Sequence, residues 1–370
     1  MINVGITSIG CAIPSLAFPL ERLAAANNVA ANKYLIGIGA SHMAICDPSE
    51  NIATLVTTAA SKALAAWQGD TQEIGLVAVG TESGDDYSKP LSQIICRSLD
   101  LKGAFRSYEV KHACLGGTLA IRQAVEWIRS GASQGKSALV VAADICTYEQ
   151  HSASEPTQGG GAVAFIIGES SIADISVQSF CYSEPVNDFC RPVGHDFPLV
   201  DAALSHKSYI SAAQIVFKNW QKQSQENNLS RLSAMNFHCP FPKMVIKAAQ
   251  RVAKSSGLSN EETELLLIEK VEPYLEWNRQ IGNAYTASLW ISVINTLAKS
   301  AGPEPFSAFS YGSGCGAELL FIRPHSNITP YWADDIEQQL KNREIISDQE
   351  YLHLRDKRER KVSHAIEVAV

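Results

Sequence analysis

The 370-residue chain lacks the patterns that would assign it to several common classes. No run of 18 uncharged apolar residues occurs, so no membrane-spanning helix is expected. The opening "MINVGITSIGCAIP" has no basic start followed by a long apolar stretch, and no secretory leader is expected. No CxxC pair is present, which removes the usual zinc and thioredoxin-type spacings, and no metal is expected. Walker A and dinucleotide fingerprints are absent, and Ser313 does not stand in the G-x-S-x-G spacing of a hydrolase elbow. Positive charge is also short. A net charge of −7 disfavours nucleic acid as the main partner.

What the chain does have is core. Hydrophobic residues make up 46%, which excludes a disordered chain, and the length suits two structural halves. Nine scattered cysteines, an odd count without a leader, point to reduced thiols in the cytoplasm. Most read as small buried hydrophobes. Short apolar runs at 3–10, 73–80, 137–145 and 161–168 read as buried strands, separated by amphipathic stretches such as 50–67. The alternation recurs: helix near 205–228, strand in 232–241, helix 243–255, "ELLLIEK" (264–270) in a strand's place, helix 284–299, then a strand pair around "FSAFSYGSG" and "GAELLFIRP". This predicts layered α/β architecture, with halves at 1–168 and 169–325 and a charged, helix-prone surface appendage at 326–370.

One segment, "YEVKHACLGGTLAIRQAVEWIRSG" (108–131), places Cys114 between a β-prone run and a helix. Leu119, Ile121, Ala124, Val125 and Ile128 recur at helical spacing, and Gly131 suits the C-terminal cap. A thiol at a helix N-terminus is expected to have a lowered pKa, and neighbouring amides can hold an oxyanion. Taken alone, Cys114 reads equally as a packed thiol or a nucleophile. Glu82 follows the apolar strand 73–80. It reads as a solvated or capping acid, or, if its pocket is apolar, as a base of raised pKa. His238 in "NFHCPFPKM" reads as structural or functional, with Pro240, Pro242 and Lys243 beside it. Asn283 after Gly282 can cap a helix, and Ser313 lies in a Gly-flanked loop that permits close backbone approach.

Four motifs in order, "HACLGGT", "NFHCPFPKM", "GNAYTASL" and "SYGSGCGAE", resemble those of thiolase-fold condensing enzymes, and more narrowly the 3-hydroxy-3-methylglutaryl (HMG) synthases. The segments 32–45, 81–89, 140–165 and 187–210 extend the resemblance over some 300 residues. It implies a layered αβαβα fold. It also implies Cys114 as the acyl-accepting nucleophile, Glu82 as general base and His238 as the contact to the second acyl substrate. Asn283 and Ser313 match substrate-pocket positions, and Tyr148 and Thr157 match residues beside the acylated cysteine. Lys243 suits the phosphates of coenzyme A or a phosphopantetheine arm. No tightly bound cofactor is implied, and a homodimer is expected.

Two branches of the family differ in carrier. One adds acetate to a ketone on an acyl carrier protein in polyketide β-branching; the other joins acetyl-CoA to acetoacetyl-CoA for mevalonate. "ESGDDYSKPLS" and "YEVKHAC" lean to the first branch, while "GNAYTASL" and "EPTQG" look at least as close to the second. Lys243, Lys247 and Arg251 at helical spacing suit an acidic carrier, or else a solvated face. A decarboxylating ketoacyl synthase and a non-catalytic carrier-binding subunit are the remaining alternatives. Cys190, Ala202 and Leu115 depart from the family pattern, which expects Trp, Gly and an aromatic there.

Overall fold

The computed structural model describes residues 3–224 and 228–355. Ten strands form its main sheet: β1 (Val4–Ala12), β2 (Ile74–Gly80), β3 (Arg106–Val110), β4 (Ser137–Cys146), β5 (Gly159–Glu169), β6 (Ala173–Ile175), β7 (Phe180–Ser183), β8 (Met235–Phe237), β9 (Phe306–Gly312) and β10 (Gly316–Pro324). Their order is β8-β9-β10-β6-β1-β5-β4-β2-β3, with β7 also paired to β10. β2 runs parallel to β3 and β4, and β8 parallel to β9. The short β6 hydrogen-bonds both β1 and β10 and so joins two sections into one sheet.

The long strands are apolar almost throughout because both faces are covered. Helix α1 (Ile52–Ala66) packs Leu55, Val56 and Ala59 on the face of β2 and β4 that carries Val77, Val79 and Val141. Helices α3 (Gly116–Arg129) and α7 (Thr286–Lys299) lie between the two sections, meeting Leu76, Ala78 and Ala142 on one side and Phe306, Ala308 and Leu320 on the other. Every residue of α7 from Thr286 to Leu297 is buried, as an enclosed central helix requires. On the far face, α4 (Ala202–Gln223), α5 (Pro242–Ser255) and α6 (Asn260–Lys270) cover Phe237, Phe309 and Leu319. The sequence of layers is αβαβα. α2 (Leu91–Ser98) flanks β3. No helix among the described residues is long and apolar enough to cross a membrane.

Three expectations need correction or trimming. Residues 264–270 are helical within α6. The capping box of Ser259 and Glu262 starts a helix there, and its strength overrides the β-like look of three leucines and an isoleucine. The helix expected near 205–228 is α4, begun by the Asp201 side chain; residues 225–227 lie outside the described residues. The C-terminal segment is no surface appendage as far as residue 355. In α8 (Tyr331–Asn342), Trp332, Ile336 and Leu340 recur every fourth residue and bury one stripe against α7 and β1. Glu344–Ile345 then pairs in parallel with Leu16–Pro19, which pairs with His42–Ile45. Tyr351 stacks on Phe18 with ring centroids 4.4 Å apart. Residues 356–370 of the expected appendage lie outside the described residues.

Candidate active site

The β2–β3–β4 ends meet the N-terminus of α3 and the β9–β10 turn, and two pairs of glycines make that approach possible. A Cβ on Gly80 would stand 2.2 Å from the Gly117 backbone, so the end of β2 touches the first turn of α3. A Cβ on Gly312 would meet the His112 carbonyl at 2.5 Å, and one on Gly316 the His112 ring at 2.5 Å. The Gly-rich turn holding Ser313 therefore lies directly against the Cys114 turn. Ala113 turns the chain with φ of 42°, a strained value for alanine, and presents the next residue.

That residue is Cys114, whose Sγ lies 3.5 Å from Glu82 Oε1 in a thiol–carboxylate hydrogen bond. Cys146, Tyr148 and Tyr285 form a small buried cluster against which Cys114 and Phe189 pack. The Tyr285 ring is edge-on to Tyr148 at 6.3 Å and to Phe189 at 5.9 Å. The apolar wall and the acid together set the electrostatics. Desolvation, then the nearby charge of Asp144, raises Glu82 to about 8, against smaller lowering effects of Arg191 and the Cys114 hydrogen bond. The Cys114 thiol is also pushed up, first by burial and then by Glu82 and Asp144. This corrects the expected lowered thiol. The helix N-terminus offers partial positive charge, but burial, together with the charges of Glu82 and Asp144, outweighs it. The site holds a neutral thiol beside an acid whose titration lies near neutrality.

Asp144 is the hub beneath them. Fully buried, its Oδ1 accepts from the Thr81 hydroxyl at 2.9 Å, the Glu82 amide at 2.8 Å and the Ser83 hydroxyl at 2.7 Å. Its Oδ2 accepts from the Thr286 amide at 3.1 Å, at the start of α7. Arg191 donates to the Glu82 carbonyl from the other side. A second buried acid, Asp188, accepts from the Gly314 amide at 2.9 Å and the Tyr311 hydroxyl at 3.3 Å, holding the Ser313 turn. Sequence reasoning passed over both aspartates, although an acid inside the apolar run "LVVAADI" is itself a signal, because a buried carboxylate needs a reason.

His238 follows β8 and is held at its backbone. Its amide donates to the Phe309 carbonyl at 2.7 Å, and its carbonyl accepts from the Tyr209 hydroxyl at 2.6 Å. Its Nδ1 is buried with no partner among the described residues, and burial lowers its pKa to about 3, so the ring is neutral. Asn283 is not the helix cap expected of it. Tyr285, at φ of 40°, holds the position before α7, and Asn283 Oδ1 supports it by accepting from the Tyr285 amide at 2.8 Å and the Ser288 hydroxyl at 3.0 Å. The Asn283 amide donates to the Thr157 carbonyl at 2.9 Å, while the Thr157 hydroxyl donates to Ser154. Lys243 lies in the first turn of α5 and its ammonium makes no hydrogen bond or ion pair among the described residues. Lys247 and Arg251 follow, exposed, on the same helix. A cavity of about 510 Å³ lies behind the Glu82 loop, lined in part by Ser83, Asp85, Cys146, Gln158, Arg191 and Arg355. Among the described residues no group of three or more His, Cys, Asp or Glu could hold a metal.

The N-terminal domain model of hydroxymethylglutaryl-coenzyme A synthases matches residues 1–172, and the C-terminal domain model of the same enzymes matches 173–266 and 258–367. The chain belongs to the hydroxymethylglutaryl-coenzyme A synthase family. It is a condensing enzyme of this type, an acyltransferase that forms a carbon–carbon bond, and it has the family's thiolase fold. It is 36% identical over 327 residues to a hydroxymethylglutaryl-CoA synthase of Enterococcus faecalis, covering 86% of this chain and 82% of the relative. Among solved structures, MvaS in complex with 3-hydroxy-3-methylglutaryl coenzyme A superposes with a TM-score of 0.89 at 35% identity, covering 96% of this chain and 92% of that one. The HMG synthase of the curacin biosynthetic pathway, in complex with an acetyl donor acyl carrier protein, gives 0.89 at 28%, covering 95% and 88%. Family members of both kinds thus share the fold equally.

Proposed function

We propose that Cys114 accepts an acetyl group from a thioester donor and that the acetyl-enzyme adds to the ketone of a 3-ketoacyl thioester carried by an acyl carrier protein. The contact that carries this reading is Cys114 Sγ to Glu82 Oε1 at 3.5 Å. Cys114 attacks the donor carbonyl, its proton leaving on the departing sulfur. Glu82 takes a proton from the acetyl methyl, and the backbone amides of Cys114 and Ser313 are the donors for the enolate oxygen. The carbanion bonds to the ketone carbon while neutral His238 donates to the ketone oxygen. The proton taken by Glu82 balances the one the new alkoxide gains, and water then releases the product and restores the thiol. Asn283 and Ser313 contact the acyl substrates, Tyr148 and Thr157 flank the acylated cysteine, and Lys243 meets the phosphates of the carrier arm.

The row Lys243, Lys247 and Arg251 supports a carrier-protein partner, since an acidic surface would meet it next to His238. A second reading, with coenzyme A thioesters as both substrates, is favoured by the identities: 36% and 35% to the E. faecalis enzyme and MvaS, against 28% to the curacin enzyme. We further propose a cytoplasmic homodimer built from halves 1–168 and 169–325. The buried thiols Cys11, Cys96, Cys146, Cys239 and Cys315 form no disulfide among the described residues, which supports a reducing compartment.

Intact-protein mass spectrometry after offering acetyl-CoA and, separately, acetylated carrier protein tests the reading. An acetyl adduct is expected that is lost in Cys114→Ala and kept in Glu82→Ala. Labelling from the carrier alone supports the first reading. Labelling from acetyl-CoA followed by condensation with acetoacetyl-CoA supports the second. No adduct from either donor overturns both.

A further inference from the structure

Tyr148 is held by a part of the chain that the site's own motifs do not include. Its backbone amide donates to Gln158 Oε1 at 2.8 Å, and its carbonyl accepts from Arg355 Nη2 at 2.6 Å. Arg355 also donates to Gln158 Oε1 through Nη1 at 2.8 Å, so one guanidinium and one amide bracket both polar groups of the Tyr148 peptide. Tyr351, one turn earlier, closes the set. Its hydroxyl donates to Glu155 Oε1 at 2.8 Å and accepts from Gln158 Nε2 at 3.1 Å. All five residues are buried, Glu155 at 1% and Arg355 at 8% exposure. The Arg355 guanidinium also lies 5.9 Å from the Phe197 ring centroid.

Buried charge is retained against a desolvation cost; Arg355 Nη1 lies 3.9 Å from Glu155 Oε1, and the two hold both the Tyr148 carbonyl and the His151 amide of one loop. Tyr148 packs with Cys146 and Tyr285 around Cys114, and Gln158 precedes Gly159, where β5 starts. A planar fork suits the position, because Nη1 and Nη2 reach Gln158 Oε1 and the Tyr148 carbonyl in fixed directions, whereas a lysine ammonium is a single point charge without that rigid spacing.

We infer that Arg355 and Tyr351 are positioning residues that hold the loop 147–158, and with it Tyr148, against the acylated Cys114. The inference rests on the proposed role of Tyr148 beside the acyl group. The C-terminal segment thereby becomes part of the active site's support: it acts on catalysis through the pocket wall and does not touch substrate.

Two variants of the full chain test this. Arg355→Lys keeps the charge and loses the fork; Tyr351→Phe keeps the stacking on Phe18 and loses only the hydroxyl. Hydrogen exchange read by mass spectrometry is expected to speed up about tenfold in peptides covering 147–158, with the β4 peptide unchanged. Turnover is expected to fall about tenfold with KM moving less than about threefold, as for a misplaced pocket wall. That loss should vanish in a Tyr148→Ala background, because the residue acted upon is gone. Unchanged exchange in 147–158 overturns the inference. So does a turnover loss of equal size with and without Tyr148, which would mark general destabilisation. If the wild-type chain takes no acetyl group, the catalytic reading fails with it, while the exchange result still decides whether Arg355 and Tyr351 hold the loop.

Discussion

Asp144 Oδ1 accepts the backbone N–H of Glu82 at 2.8 Å, and through that bond the central layer of the fold sets the place of the acid beside Cys114. The same carboxylate takes the Thr286 amide at 3.1 Å, so the Glu82 loop and the first turn of α7 share one anchor.

Replacing that anchor should therefore move more than stability. Asp144→Asn keeps the size but turns an N–H group towards one of four donors. A cost of about 1–3 kcal/mol is expected, read as a lowered midpoint in urea. The loss of a negative neighbour should also lower the Glu82 pKa and move the acid limb of the activity profile to lower pH. A stability change with the limb unmoved would refute the coupling.

Glu82 is raised to about 8, chiefly by desolvation. In its proposed role only the carboxylate can take a methyl proton, so turnover is expected to climb with pH through about 8 and level off above it. The sign for stability is opposite. Between the unfolded value of 4.5 and the folded value near 8, the folded chain binds the extra proton, so this group's contribution fades as pH rises through that window. Glu82→Gln should remove that loss, and its melting temperature relative to wild type should rise from pH 5 to pH 8. Its condensation rate should fall about 10²–10⁴-fold. Parallel melting curves across that range would contradict the assignment.

Gly117 admits no side chain. A Cβ there would stand 2.5 Å from the Ala142 Cβ and 2.7 Å from Thr286 Oγ1, while the Gly117 amide donates to that same oxygen at 2.6 Å. Gly117→Ala is expected to cost about 3 kcal/mol and to disturb the Cys114 turn. Equal stability and full acetylation in the variant would show that the helix can retreat from β4.

The exposed pair on α5 separates the two carriers. Lys247→Glu with Arg251→Glu should raise KM for an acylated carrier protein about tenfold and leave coenzyme A thioesters nearly unaffected. Salt should weaken the wild type towards the variant with the carrier alone. Equal KM values for the carrier in both proteins would remove the basic row from recognition.

The sequence by itself determined most of the elements and where the Cys114 turn lies. Apolar runs marked β1, β2, β4 and β5, the stripe Leu119 to Ile128 marked α3, and the glycines flanking Ser313 marked a close backbone approach. These signals are local, carried by periodicity and by missing side chains. It misplaced 264–270, where four successive aliphatic residues hid a capping box, and it set 331–355 outside the body. Only the tertiary structure decided what surrounds each reactive group. The thiol is raised and not lowered because the fold buries it and brings Glu82, after β2, and Asp144, in β4, beside it. The anchoring aspartates and the Arg355 fork act on residues far away in the chain, and no spacing rule encodes such a contact. Burial and charge at a point in space belong to the fold as a whole, and they set both the protonation of the Cys114–Glu82 pair and the wall beside it.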